Sequence, residues 1–277
     1  MQAACNSKPR RDGNMIRKLT PAEMKAILHS INREQHFLYY SYLTFRKHNA
    51  VHYGQFTGRG ELLGVLAYLR GLPFHHAFSV YPVQESFRIR PLLSFMKQEL
   101  QLPDHTVGNF IINQDEMALL ASQLDFLKPP KELLLMKHIH QEALPKEDGR
   151  VVHLGPSHYD RIESKMAELH TMAFTREELR HPFYGVMEQR ELVAVGGYHI
   201  YNEDYVELGN IGTDVSRRRR GYGKRVCAEL TRKGREVTPN VYLNVLRENE
   251  GAVRLYESLG YESICEQYIA EFAVGDA

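Results

Sequence analysis

The segment that most constrains this chain is Ile211-Gly-Thr-Asp-Val-Ser-Arg-Arg-Arg-Arg-Gly-Tyr-Gly-Lys-Arg225. A strand pattern, Tyr205–Val215, ends in it, and a helix pattern running from about Tyr222 to Lys233 begins in it. At such a junction the first N–H groups of the helix have no intrahelical acceptor, and the helix dipole places positive potential beside them. Gly221 and Gly223 let an anion approach the backbone closely and tolerate a positive φ. The junction therefore reads as an anion site. Charge-assisted hydrogen bonds contribute about 1.5–3 kcal/mol each, enough for several to hold a pyrophosphate. No Gly-Lys-Ser/Thr stands at Walker spacing, and two glycines do not make the dinucleotide-binding signature. Nine Lys/Arg against two acidic residues between Ser216 and Glu236 give a local excess of +7. A solvated basic face and a nucleic-acid patch are the competing readings of that excess.

A second segment decides between them. Val241-Tyr-Leu-Asn-Val-Leu-Arg-Glu-Asn249-Glu-Gly-Ala252-Val-Arg-Leu-Tyr256-Glu-Ser-Leu-Gly-Tyr261 reads as a strand, a polar loop and a helix that stops at Gly260. Together the two segments resemble the GNAT acetyltransferase superfamily. Arg218, Gly221 and Gly223 match its Arg/Gln-x-x-Gly-x-Gly/Ala signature. Asn249, Ala252, Tyr256, Gly260 and Tyr261 match its Asn-x-x-Ala-x-x-x-Tyr-x-x-x-Gly-aromatic pattern. One departure is Val215, where the family often has proline.

The resemblance implies a mixed α/β fold with helices on both sides of a sheet of about seven strands, and acetyl-CoA as cosubstrate. It implies that Ile211, Gly212 and Thr213 pair with the pantetheine arm like an added strand. It places the pyrophosphate on the amides from Arg219 through Arg220, Gly221, Tyr222 and Gly223 to Lys224, with Arg218 opening the motif. Asn249 would contact the cofactor from the next loop, although a helix-entry cap is an equal alternative. Tyr256 would sit near the sulfur and assist the departing thiolate, against the simpler reading of a core aromatic. A primary amine near pKa ~10.4 must lose a proton, at roughly 4–5 kcal/mol near pH 7, so a proton acceptor is needed. Glu207, four residues before Ile211, is the candidate. Strand alternation puts it on the same face as Gly209 and Ile211. The expected activity is N-acetyl transfer to a primary amine of a small molecule or peptide by direct attack. The alternative is a CoA-binding sensor without turnover.

The rest of the chain narrows the setting. Lys plus Arg is 35 and Asp plus Glu is 34, so the net charge of +1 does not drive nucleic-acid binding. The Arg217–Arg220 run coincides with the phosphate loop, so nucleic acid is not expected as a partner. Residues 1–14 are polar, lack the apolar middle of a signal peptide and are expected to be a disordered tail. No apolar stretch long enough for a membrane span occurs. Cys5, Cys227 and Cys265 lack metal-ligand spacing, as do His158, His170, His181 and His199. No metal is expected, and the cysteine usage suggests the cytoplasm. Cys227 shares a helix face with Leu230 and reads as buried rather than nucleophilic.

Residues 15–140 alternate helix and strand patterns without any phosphate-loop motif. They resemble the degenerate amino-terminal half of tandem GNAT proteins. Residues 141–150, with Pro145 and Gly149, are the expected linker, and 151–277 the acetyltransferase domain. Thr20-Pro21-Ala22-Glu23 and Thr175-Arg176-Glu177-Glu178 both read as helix-opening capping boxes.

Overall fold

The computed structural model describes residues 14–72, 76–169 and 174–275. The expected tail, apart from Asn14, lies outside these residues, as do Cys5 and His170. The elements in chain order are β1 (Met15–Lys18), α1 (Pro21–Ser30), α2 (Phe37–Leu43), β2 (Ala50–Phe56), β3 (Leu62–Leu69), β4 (His76–Pro82), α3 (Ile89–Glu99), β5 (Val107–Asn113), α4 (Gln114–Ala121) and β6 (Lys131–His138). They continue with β7 (Val151–Leu154), α5 (Tyr159–Glu168), β8 (Phe183–Glu188), β9 (Glu191–Tyr201), β10 (Val206–Thr213), α6 (Tyr222–Val237), β11 (Val241–Leu246), α7 (Glu250–Glu257) and β12 (Tyr261–Ala273). No helix among the described residues is long and apolar enough to cross a membrane.

The chain divides into two compact units. The first holds the residues up to Leu133 together with those from Cys265 onward, and the second is Leu134–Ile264. In the first unit, β1 to β4 pair antiparallel in succession. After the α3 crossover, β5 lies parallel to β4, and Gln267–Ala273 of β12 pairs antiparallel with β5. The second unit repeats that order: β7 to β10 are antiparallel, α6 crosses over, and β11 lies parallel to β10.

Local chemistry explains where the elements start. Thr20 caps α1: its hydroxyl accepts from the Glu23 amide at 3.3 Å, while Glu23 accepts from the Thr20 amide at 2.8 Å. Asn113 and Glu116 form the same reciprocal cap on α4. That helix stops at Ala121, and beyond it Phe126 bridges Phe272. α6 buries the stripe Val226, Cys227, Leu230, Thr231 and Gly234. The stripe packs against Val206 and Leu208 of β10 and Val241 and Leu243 of β11. On the other face of the second unit's strands, α5 supplies Ile162 and Met166 to a core with Phe183, Leu192 and Val195. The polar segment 141–150 is tied to α6: Asp148 Oδ2 pairs with Arg225 Nε at 2.9 Å, and Arg232 Nη2 donates to the Pro145 carbonyl at 2.7 Å.

Candidate active site

The site begins where β10 and β11 part. Their parallel pairing covers only Val206–Leu208 against Val241–Leu243. Beyond Leu208, therefore, the edge of β10 turned toward β11 has no strand partner among the described residues. The β9–β10 register slips between Gly209 and Gly212, a bulge in which Asn210 has φ +56°. The bulge reverses the alternation that the sequence suggests. Glu207 and Gly209 face away from α6, but Ile211 is turned toward it. A Cβ built at Gly196 would meet Leu230, Val226 and Ile211 together. Gly212 returns to the α5 face, where Leu169 lies 2.3 Å from its hypothetical Cβ.

The strand then leads into the loop before α6. Gly221 is the N-cap residue at φ +79°, and Arg219 also lies in the left-handed region at φ +64°. The first backbone bond of the junction is Arg225 N–H to the Gly221 carbonyl. The six amides from Arg219 to Lys224 have no acceptor among the described residues. Their N–H groups are the unsatisfied donors expected of a helix start, extended by two left-handed residues into a concave cradle. Of the cations around them, Arg218 Nε donates to the Thr213 carbonyl at 3.4 Å, and the others divide into two sets. Arg217 faces Glu188 at 3.5 Å and Arg225 is held by Asp148. Arg219, Arg220 and Lys224 have no carboxylate partner among the described residues. Tyr222 donates its hydroxyl to Glu188, which pins the first helical turn to β8.

The first unit shows the contrast. At the corresponding junction, the amide of Arg88 donates to Gln55 Oε1 at 2.9 Å. The amide of Ile89 donates to Gln123 Oε1 at 2.9 Å, and Phe87 N–H goes to the Gln84 carbonyl. Side chains of the chain itself fill the helix start that the second unit leaves open.

Tyr256 enters from α7. It is buried in the α6-side core beside Cys227, with its ring edge-on to Tyr261 at 6.0 Å. Burial, then Cys227 and Tyr261, hold its hydroxyl protonated well above the usual tyrosine range. That hydroxyl has no hydrogen-bond partner among the described residues. Asn249 is the N-cap of α7, its Oδ1 accepting from the Ala252 amide at 3.2 Å, so it fills the capping role. Glu207 is buried and its Oε1 accepts from Asn244 Nδ2 at 2.9 Å. Asn244 Oδ1 is buried without a partner, one residue past the last β10–β11 pair. Such an orphan acceptor where two strands part suits a ligand N–H. Cys227 is buried, and burial pushes its thiol up to about 12, which leaves no thiolate for nucleophilic work. No group of three or more His, Cys, Asp or Glu among the described residues could hold a metal.

One cluster escapes sequence reading. Thr175 makes no side-chain cap, and Arg176–Arg180 is a short 3-10 turn rather than a capped helix. The Glu178 carboxylate expected in that cap goes elsewhere: Oε1 meets His199 Nδ1 at 3.0 Å, and Oε2 accepts from Asn210 Nδ2 at 2.6 Å. His181, 9% exposed, stands beside the pair; burial and Arg180 push its imidazole down to about 4. Spacing could not have flagged this cluster, because its members are separated by 21 and 32 residues.

Residues 143–261 match the acetyltransferase (GNAT) family. No curated protein matches the chain. Among solved structures, a GCN5-related N-acetyltransferase from Sphaerobacter thermophilus superposes with a TM-score of 0.68 at 16% identity, covering 95% of this chain and 96% of that one. A GNAT-family acetyltransferase from Colwellia psychrerythraea gives 0.59 at 17% identity, over 93% of this chain and 99% of that one. A tandem GNAT protein from the clavulanic acid biosynthesis pathway gives 0.65 at 12% identity, over 95% and 99%. These identities carry the fold, which extends through both units. With the signature residues on an open helix start beside a parted strand pair, residues 143–261 form a domain of the acetyltransferase (GNAT) family.

Proposed function

We propose that the second unit is an acetyl-CoA-dependent N-acetyltransferase acting on a primary amine of a small molecule or peptide within a ternary complex. The observation that carries this reading is the run of six unpaired amides from Arg219 to Lys224 at the start of α6. A pyrophosphate satisfies those donors, and Arg219, Arg220 and Lys224 neutralise its charge. The unpaired edge of β10 at Ile211, Gly212 and Thr213 suits the amide groups of a pantetheine arm, read as an added strand. That arm runs toward the parting point at Gly209, where strand amides can polarise a thioester carbonyl.

The chemistry needs no covalent enzyme intermediate. The amine nitrogen attacks the thioester carbonyl, the C–S bond breaks, and the sulfur gains a proton. Tyr256, protonated and without another partner among the described residues, is the donor for that sulfur. Asn249 closes the site from α7 while capping it. Glu207 lies on the acceptor side of the sheet, and the amine's proton passes along that face.

The deciding experiment joins calorimetry with acetyl-CoA to thiol release against polyamines, aminoglycosides, amino acids and peptide amines. Binding together with release on an amine supports transfer. Tight binding without release on any of them supports a CoA-sensing module, and no binding removes the reading altogether.

A further inference from the structure

We infer that the imidazole of His199, held by Glu178, accepts the proton of the acceptor amine. The inference rests on the acetyl-transfer reading above and adds a residue to it.

Gly209 is the first residue of β10 beyond its last pair with β11, so it marks the point where the two strands separate. The imidazole of His199 packs against that residue: a Cβ at Gly209 would fall 2.1 Å from ring atoms Cδ2 and Nε2. Glycine at 209 is what admits the ring. Tyr256 belongs to the core on the α6 side of the sheet, whereas His199 meets Glu178 and Asn210 on the opposite side. A proton donor and a proton acceptor thus stand on opposite faces of the parting point.

The chemistry follows from the hydrogen bonds. With Nδ1–H donating to Glu178 Oε1 at 3.0 Å, the basic lone pair of the neutral ring is on Nε2, the atom against Gly209. The carboxylate fixes that tautomer and stabilises the imidazolium formed on protonation. Asn210, at the bulge, holds the other carboxylate oxygen at 2.6 Å, so the pair is oriented from the same strand that parts from β11. The side chains of His199 and Glu178 are 18% and 13% exposed, so the pair is only partly sealed from solvent. Glu207, the carboxylate expected for this task, is instead engaged by Asn244.

The proton count closes. An ammonium acceptor gives its first proton to Nε2, which returns it to solvent. The neutral nitrogen forms the C–N bond as the C–S bond breaks. The sulfur takes a proton from Tyr256, and the second nitrogen proton restores that hydroxyl through solvent. Each turnover converts ammonium and thioester to amide, thiol and one released proton.

Among the described residues, Glu178 and His181 face His199, Arg180 stands beside His181, and Glu207 lies on the same face of β10. His181, pushed down to about 4, stays neutral through the assay range and cannot supply a neutral-pH limb.

The test uses the full chain, acetyl-CoA as donor and n-butylamine, spermidine and a lysine-containing tripeptide as acceptors, with thiol release read from pH 6 to 9.5. Wild-type kcat/KM is expected to show a limb in the neutral range. His199→Gln should keep acetyl-CoA affinity within about two-fold by calorimetry and lose that limb. Its activity at pH 7 should fall on the order of 100-fold or more, with the deficit shrinking toward the pKa of the amine. Glu178→Gln should move the limb to lower pH. Gly209→Ala displaces the ring without removing either partner and should mimic His199→Gln, which covers the case of a poorly folding variant. A limb retained in His199→Gln and lost in Glu207→Gln overturns the assignment. So does wild-type protein that binds acetyl-CoA yet releases no thiol with any of the three amines, while leaving the cofactor site standing. Absence of acetyl-CoA binding removes the reading beneath it.

Discussion

Asn244 Nδ2 donates to Glu207 Oε1 at 2.9 Å, holding a buried carboxylate of β10 from the neighbouring strand β11 just past the last point where the two are paired. A buried carboxylate that loses its donor bears the full desolvation penalty. Asn244→Leu is therefore expected to cost about 1–3 kcal/mol in urea unfolding. Glu207→Gln keeps an acceptor oxygen for Asn244 and should cost less than about 1 kcal/mol, on the scale of a single neutral hydrogen bond. Equal losses in the two variants would show that the pair is not the unit that matters.

Gly221 governs the cradle through its backbone. Its φ of +79° is open to glycine, and a Cβ there would have no neighbour nearer than Arg225 at 3.9 Å. The obstacle to a side chain is thus conformation rather than packing, and a β-branched residue is the worst fit. Gly221→Val should leave the fold largely intact and abolish acetyl-CoA binding in calorimetry. Arg219→Ala or Arg220→Ala should weaken binding by a lesser factor, because the amides remain. A folded Gly221→Val variant with unchanged affinity removes the phosphate assignment.

The parts legible in the sequence are those whose chemistry is local. The Arg218–Lys224 loop, the Thr20 cap and the burial of Cys227 each depend on residues within one or two turns of each other. The Thr175 box has the same local pattern and fails, because Glu178 finds a better use 21 residues away on His199. The face expected for Ile211 fails for a similar reason: alternation assumes a regular strand, and the Asn210 bulge inserts one residue. β1 and α2 carry too few residues to show a period. The pairing of β12 with β5 joins segments about 160 residues apart, such as Ala270 and Phe110, where only tertiary packing selects the partner.

Acid stability should begin to fall before the carboxylates titrate. Burial pushes the imidazoles of His52, His138 and His181 down to about 4. His138 shows why: Arg235 donates to its Nδ1 at 3.2 Å, while Nε2–H donates to the Leu259 carbonyl at 3.1 Å, so an imidazolium would face a guanidinium. The unfolded chain binds protons on these groups near 6.5 and the folded chain only near 4, so stability falls as pH drops from about 6.5 toward 4. After discounting for screening, roughly 1–2 kcal/mol per imidazole is expected. Glu23, held down to about 2 by Arg17, contributes only in the separate window from about 4.5 toward 2. Urea midpoints at pH 7, 5.5 and 4.5 should decline steadily. A flat profile down to pH 4.5 would rule the buried imidazoles out as the cause.

Tyr256→Phe isolates one proton. The ring stays in the core with Cys227 and Tyr261, and the hydroxyl has no hydrogen-bond partner among the described residues to lose, so stability should change by less than about 1 kcal/mol. Acetyl-CoA affinity should hold for the same reason. If the hydroxyl protonates the departing sulfur, kcat should fall about 10²–10⁴-fold. Unlike loss of an amine base, this deficit should not recover as pH rises toward the amine pKa, because the thiolate departs after the amine has lost its first proton. An acyl donor whose leaving thiol has a lower pKa needs less help and should narrow the gap between Tyr256→Phe and wild type. Full activity of Tyr256→Phe from pH 6 to 9 removes the hydroxyl from the mechanism and leaves Tyr256 as a packing residue of α7.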